Sequence, residues 1–230
     1  MHELSPLLAF VQDQLQIAAL LFMAVVYALK IRWIFRFPAA RDRQERTGDP
    51  ATSARKGAAY SLVNVAMPWA MPSTRQHLLF YTQFVIFHLA VAASITMSFL
   101  IPYAPETIAS SAAVRLLQAL FAAAVLVGLW RLIRRVRDPY IRAISTPDDY
   151  FSLSLLIVWF GFSILAAPNQ PQEGEWPLMV YFVLTAFFLV YVPFSKISHY
   201  LYYPFARWYL GKTLGYRGVY PVKRGGETPA

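Results

Sequence analysis

LLFYTQFVIFHLAVAASITMSFLIP, the stretch from Leu78 to Pro102, contains no Lys, Arg, Asp or Glu and a single histidine, His88. About 20 consecutive apolar residues are enough to cross a hydrocarbon core as a helix, and a helix does so without exposing unsatisfied backbone groups to lipid. Four further stretches meet the same test: Leu7 to Phe35, Ala112 to Leu132, Tyr150 to Ala167 and Pro177 to Tyr200. The fourth in chain order is the shortest, with Asp148 and Asp149 before it and Pro168 after it. Composition agrees with the pattern. Of 230 residues 57% are hydrophobic, 16% aromatic and 14% charged, with a mean hydropathy of +0.42, which is more apolar than a soluble domain of this size tolerates. The expected fold class is all-α, an integral membrane bundle of five transmembrane helices.

Basic residues are distributed unevenly along this frame. Nine of the 21 Lys and Arg lie between Lys30 and Arg75, five between Arg131 and Arg142, and six from Lys196 onwards, leaving only Arg115 elsewhere. Five spans put all three basic regions on one face of the membrane. The opposite connections, 103–111 and 168–176, hold Glu106, Glu173 and Glu175 and no Lys or Arg. The positive-inside rule then places the N-terminus outside and the C-terminus in the cytoplasm, in the inner (cytoplasmic) membrane. A net charge of +9 follows from this topology and from contact with anionic membrane lipid. No soluble basic domain or aromatic-basic module accompanies it, so no nucleic acid partner is expected.

Between the first two spans, Phe37 to Pro50 is charged and contains Pro and Gly, which reads as a flexible cytoplasmic linker. Ser53 to Met67 mixes small polar residues with Tyr60, Leu62, Val63, Val65 and Ala66, a pattern compatible with an interfacial amphipathic helix that ends before Pro68 and Pro72. From Leu210 the chain carries Gly211, Gly215, Gly218, Gly225 and Gly226 and is expected to be extended. The domain organisation is thus a five-helix transmembrane domain over residues 1–204, with the linker and interfacial helix at about 37–76, and a cytoplasmic tail over 205–230. The N-terminus, with Glu3 and Asp13 and no basic region, does not resemble a removable signal peptide.

There is no cysteine in the chain, which excludes iron–sulfur clusters, thiolate-bound zinc, disulfides and covalently attached c-type haem. A metal centre here must use histidine. An ionisable ring inside a bilayer is expensive and is a functional-site candidate by default. Imidazoles from two helices can ligate one haem iron axially. His77 and His88 are eleven residues apart, about 16 Å along a helix, too far to share one ion. His2 lies in the N-terminal tail, so His199 is the remaining ligand and one six-coordinate haem is expected. On the residues alone its partner stays open. His77 is the more level with His199 in depth, whereas His88 is the deeper and less easily explained by headgroup contact.

The segments Leu79 to His88 and Val192 to His199 resemble the haem-bearing helices of the respiratory nitrate reductase gamma subunit family. The resemblance extends to the cytochrome b subunits that partner heterodisulfide-reductase-like iron–sulfur proteins. Met67 to Arg75, Ile144 to Tyr150 and Tyr209 to Tyr220 are similar to that second group. The resemblance implies one bis-histidine haem b held by His88 and His199, with electrons exchanged between a quinone, menaquinone or ubiquinone, and a cytoplasmic iron–sulfur partner. The nitrate reductase branch carries a second haem, whose ligand positions are here Ser98 and Tyr181. Neither side chain replaces imidazole in a low-spin pair, so the resemblance implies that this second haem is missing. Lys196 or Arg75 is a candidate partner for haem propionates, and Asp13 for a quinol proton.

Hydrolytic or nucleotide chemistry finds no foothold: there is no HExxH, no Gly-rich phosphate loop and no close carboxylate pair in an apolar setting. Asp148 and Asp149 read as the N-terminal charge of the fourth span. The alternative of a different class is a haem-free membrane anchor or scaffold, whose histidines pack the bundle while its basic face holds a cytoplasmic complex.

Overall fold

A computed structural model describes residues 4–38, 42–70 and 72–222 of the chain. All regular structure among the described residues is helical. In chain order the α-helices are α1 (Pro6–Gln12), α2 (Gln14–Arg36), α3 (Ala54–Val63), α4 (Pro72–Gln76), α5 (Leu78–Tyr103), α6 (Ser111–Arg137), α7 (Pro139–Ala143), α8 (Pro147–Ala166), α9 (Trp176–Tyr191) and α10 (His199–Tyr216). Five segments are long and apolar enough to cross a membrane: Pro6–Arg36, Leu78–Tyr103, Ser111–Arg137, Pro147–Ala166 and Trp176–Phe194. The protein is a multi-pass helical membrane protein.

Local chemistry sets the helix ends. Ser5 caps α1, its hydroxyl accepting from the Leu8 N–H at 3.2 Å, with Pro6 at the first helical position. Ser110 does the same for α6 at 3.1 Å from the Ala113 N–H. Three arginines, Arg134, Arg135 and Arg137, fill the last turn of α6, where the helix dipole favours cations. The shortest span is a helix after all. Thr146 and Asp149 form a reciprocal capping box around Pro147, so the acidic pair expected to charge the start of this span also closes its first turn.

The chain divides into two compact units, Met1–Leu29 with Thr82–Ile197, and Lys30–Tyr81 with Ser198–Ala230. In the first unit, Leu8, Phe87, Met97, Phe121, Phe160 and Tyr181 belong to one buried core. A hydrogen-bonded polar chain threads it. The Tyr181 hydroxyl donates to the Ser94 carbonyl at 2.5 Å, the Ser94 and Ser163 hydroxyls meet at 2.7 Å, and the Trp159 indole N–H donates to Thr185 Oγ1 at 2.9 Å. Thr185 in turn donates to the Tyr181 carbonyl at 2.8 Å. Each group is buried and partnered, which ties α5, α8 and α9 together where lipid offers no alternative partner. Tyr181→Phe is expected to lower stability by about 1 kcal/mol, within the range measured for hydrogen bonds between membrane helices. Reversible denaturation in mixed micelles measures it, and an unchanged midpoint would show that the hydroxyl contributes nothing.

The ends of this unit are also tied. Ser5 donates through its N–H at 2.7 Å, and through its hydroxyl, to the Glu175 carboxylate, joining the start of α1 to the loop before α9. At the other end Asp148 accepts from the Tyr191 hydroxyl and from the Lys196 N–H at 2.9 Å. Gln16, inside the first span, donates to the Phe182 carbonyl at 2.7 Å.

The second unit is built on α3 packed against α10. The contact is made by glycines: a Cβ placed on Gly211 would lie 2.5 Å from the Gly57 carbonyl oxygen and 2.7 Å from the Ala58 Cα. The two backbones approach as closely as small residues allow. Tyr203 and Arg207 of α10 then satisfy the last carbonyls of α3, the Tyr203 hydroxyl donating to Leu62 at 3.1 Å and Arg207 Nε to Ser61 at 3.0 Å.

Three expectations are corrected here. The stretch beginning at Leu210 is not extended, because α10 runs to Tyr216 with Gly211 and Gly215 on its packed face. The fifth span does not continue to Tyr200. It ends at Phe194, where 3₁₀ turns at Val192–Phe194 and Lys196–Ser198 replace α-helix around Pro193. The linker's described residues form a bonded loop. Gly48 and Asp49 donate to the carbonyls of Arg217 and Gly218 at 2.9 and 3.1 Å, and Arg46 Nη2 donates to the carbonyls of Asp49, Pro50 and Thr52. Gly218, at φ +84°, makes the left-handed turn that this loop packs against.

A forked ion pair fastens the same loop. Arg217 Nε and Nη2 reach the two Asp42 carboxylate oxygens at 2.5 and 2.8 Å, which holds the Asp42 carboxyl below its ordinary value and raises Arg217. A depressed carboxylate stabilises the fold above its unfolded pKa of about 3.9 and loses that contribution as pH falls through its folded value. Protection of the amides at residues 44–52 from hydrogen exchange, taken relative to the unfolded rate at each pH, should therefore be high at neutral pH and fall below about pH 4. Asp42→Asn is expected to show the low protection throughout, and equal protection in both proteins at pH 7 would contradict the role of the pair.

Candidate functional site

His88 sits about three turns into α5. Its neighbours Phe87 and Ala90 are buried, while His88 and Leu89 are exposed on the outer face of the first unit. The ring packs against Phe84 with centroids 4.1 Å apart. Its Nδ1 lies 2.7 Å from the Phe84 carbonyl oxygen. A carbonyl oxygen only accepts, so Nδ1 carries the proton, and in the neutral ring the basic lone pair is on Nε2. This is how a metal-ligating imidazole has its tautomer and plane fixed by a backbone carbonyl. The residue fits an axial ligand by the chemistry of its donor.

His199 belongs to the second unit. It is the first residue of α10, is exposed, and follows the buried Ser198. The helix break after Phe194 explains its place: His199 lies beyond the membrane-length segment rather than inside it. Its neutral imidazole is also an acceptable iron ligand. His77 is in the second unit as well, exposed in the turn between α4 and α5, its ring 6.0 Å from that of Phe80. Among the described residues no three His, Asp or Glu side chains gather as a metal site.

The other candidates fall as follows. Lys196 is held by Asp149, its Nζ 2.6 Å from Oδ2, so its charge is already paired within the protein. Arg135 approaches the same carboxylate at 3.9 Å and donates to the Ser145 hydroxyl at 2.6 Å. Arg75 is exposed in α4. Asp13 stands at the break between α1 and α2, half-buried. Tyr181, at one of the two positions compared with the nitrate reductase branch, is fully buried in the polar chain described above. Ser98, at the other, donates to its own helix at the Ile95 carbonyl, 2.7 Å away.

Sequence reasoning missed the roles of Gln16, Trp159 and Thr185. The available signal was a polar atom repeated inside apolar runs, but it does not say which groups meet.

No family model and no solved structure matches the chain. A curated protein of Nitratidesulfovibrio vulgaris strain Hildenborough, described simply as a protein, is 26% identical over 186 residues, covering 75% of each chain.

Proposed function

We propose that this chain is the membrane haem b subunit of a respiratory redox complex. It relays electrons between the quinone pool, menaquinone or ubiquinone, and a cytoplasmic iron–sulfur partner of the heterodisulfide-reductase-like type. His88 and His199 would hold one haem b. The observation that carries this reading is His88, an imidazole on the outer face of an apolar span, with Nδ1 bonded to the Phe84 carbonyl and its lone pair on Nε2. A ring so placed is costly against lipid and is suited to holding iron.

When bound, haem b supplies a one-electron centre whose potential follows its axial ligands, burial and hydrogen bonds. The chain's own residues hold it. The Phe84 carbonyl orients the His88 ring and raises the basicity of Nε2, and the first turn of α10 presents His199. In the first unit the end tied by Ser5 and Glu175 has acidic connections, whereas the end tied by Asp148 and Lys196 carries Arg134, Arg135 and Arg137. This charge difference supports an N-terminus outside, a C-terminus in the cytoplasm, and residence in the inner (cytoplasmic) membrane.

The visible spectrum of the purified full chain tests the proposal. A Soret band and a reduced α band of b type are expected. A folded but colourless chain, produced with ample haem, would leave the haem-free anchor as the reading.

A further inference from the structure

Within the second unit a cavity of about 1190 Å³ opens beside α10. Its walls include Phe35, Leu62, Phe205 and Trp208, and its charged lining residues are Asp42 and Lys212. Phe35 and Phe205 meet edge to face at 5.6 Å. The volume exceeds the roughly 300–1,000 Å³ of most small-molecule sites, and the wall is mainly aromatic and aliphatic. That favours a long amphiphile over a small polar metabolite.

Charge selects among amphiphiles. Both Asp42 carboxylate oxygens are engaged by Arg217, which cancels that charge. Lys212 is exposed and makes no ion pair among the described residues. One uncompensated cation therefore stands at an apolar cavity. Part of the wall, Ile34 and Phe35, is the last turn of Pro6–Arg36, a segment long and apolar enough to cross a membrane, so the cavity opens at one end of a candidate span. Aromatic residues with a lysine at the interfacial end of a span match a lipid whose headgroup is anionic.

We propose that this cavity is a binding site for one anionic phospholipid, its phosphate on Lys212 and an acyl chain along Phe35, Phe205 and Trp208. The site depends on the membrane character of the chain and not on the haem reading.

Native mass spectrometry of the full-length chain in detergent, with equal amounts of phosphatidylglycerol and phosphatidylcholine, tests this. The wild type is expected to retain one phosphatidylglycerol in about fivefold excess, the effect of one lysine near an anionic surface. Lys212→Ala, an exposed change that leaves the fold intact, should bring the two lipids to parity. Phosphatidylglycerol brominated on its acyl chain should quench wild-type tryptophan fluorescence more than that of Trp208→Phe. The visible spectrum of Lys212→Ala should match the wild type, which separates this site from the proposed haem ligands. Equal retention of the two lipids by the wild type would overturn the proposal. So would an undiminished preference in Lys212→Ala, equal quenching in Trp208→Phe, or displacement of the bound lipid by an isoprenoid quinone.

Discussion

Replacing His88 by alanine is expected to abolish b-type absorbance in the purified chain, with haem affinity falling by more than about a hundredfold, since even loss of an outer-shell partner costs 10–100-fold. The reason is local and visible in α5. The Phe84 carbonyl fixes the ring through Nδ1 at 2.7 Å, and an alanine has no donor to offer in its place. His199→Ala should behave alike, whereas His77→Ala should keep the full spectrum. Free imidazole added to His88→Ala should restore part of the α band, because the missing group is then supplied from solution. A merely structural histidine would show no such rescue. Retention of haem by His88→Ala at the wild-type level would remove the residue from the site.

The second large effect concerns the contact between α3 and α10. Gly211→Leu is expected to separate the two helices and to destabilise the second unit by on the order of 3 kcal/mol or more, the upper range for overpacking. The atoms in the way are the Gly57 carbonyl oxygen, the Ser61 Cβ and the Ala58 Cα, all within 2.7 Å of the added carbon. Backbone cannot rotate aside as a side chain can. Gly57 faces the backbone of Gly211 and Gly215 in the same way, so Gly57→Leu should match it. Gly161→Ala in α8 is the control, because nothing lies within 4 Å of its added carbon. Hydrogen exchange at residues 54–63 and 199–216 reads the result. Slow exchange in Gly211→Leu, equal to the wild type, would contradict the packing described.

These cases show what apolar patterning makes legible. The five spans were readable because each contains a long apolar stretch with few charged residues, and the structure has a membrane-length apolar helical segment in each of the five regions. Asp148 and Asp149 were readable as a helix start because two acidic residues stand directly before an apolar run. Composition misled at Gly211 and Gly215. The same residue type that loosens an isolated chain also permits two helices to touch, and only the partner, here Gly57, decides between them. The end of the fifth span was hidden for a related reason. Ser195, Lys196 and Ser198 interrupt an aromatic stretch too briefly to break its average hydropathy, yet Pro193 and the bond from Lys196 to Asp148 stop the helix there.

At the candidate site, the residue types were legible and their settings were not. His88 stands out in any reading of α5, since it is the one imidazole in the run. The bond from Nδ1 to Phe84, which orients the ring, depends on a rotamer and not on composition. Lys196 was plausible for propionates as a lone cation near a span end, but Asp149, distant in sequence, had already taken its charge.

The claim that one iron is held between the imidazoles of His88 and His199 is tested most directly by measuring haem content and iron spin state in the same oxidised, purified chain. One b-type haem per polypeptide with a low-spin bis-imidazole electron paramagnetic resonance signal, lost in both single alanine variants, is the expected result. A chain that binds no haem, or whose signal survives both substitutions, would contradict the account.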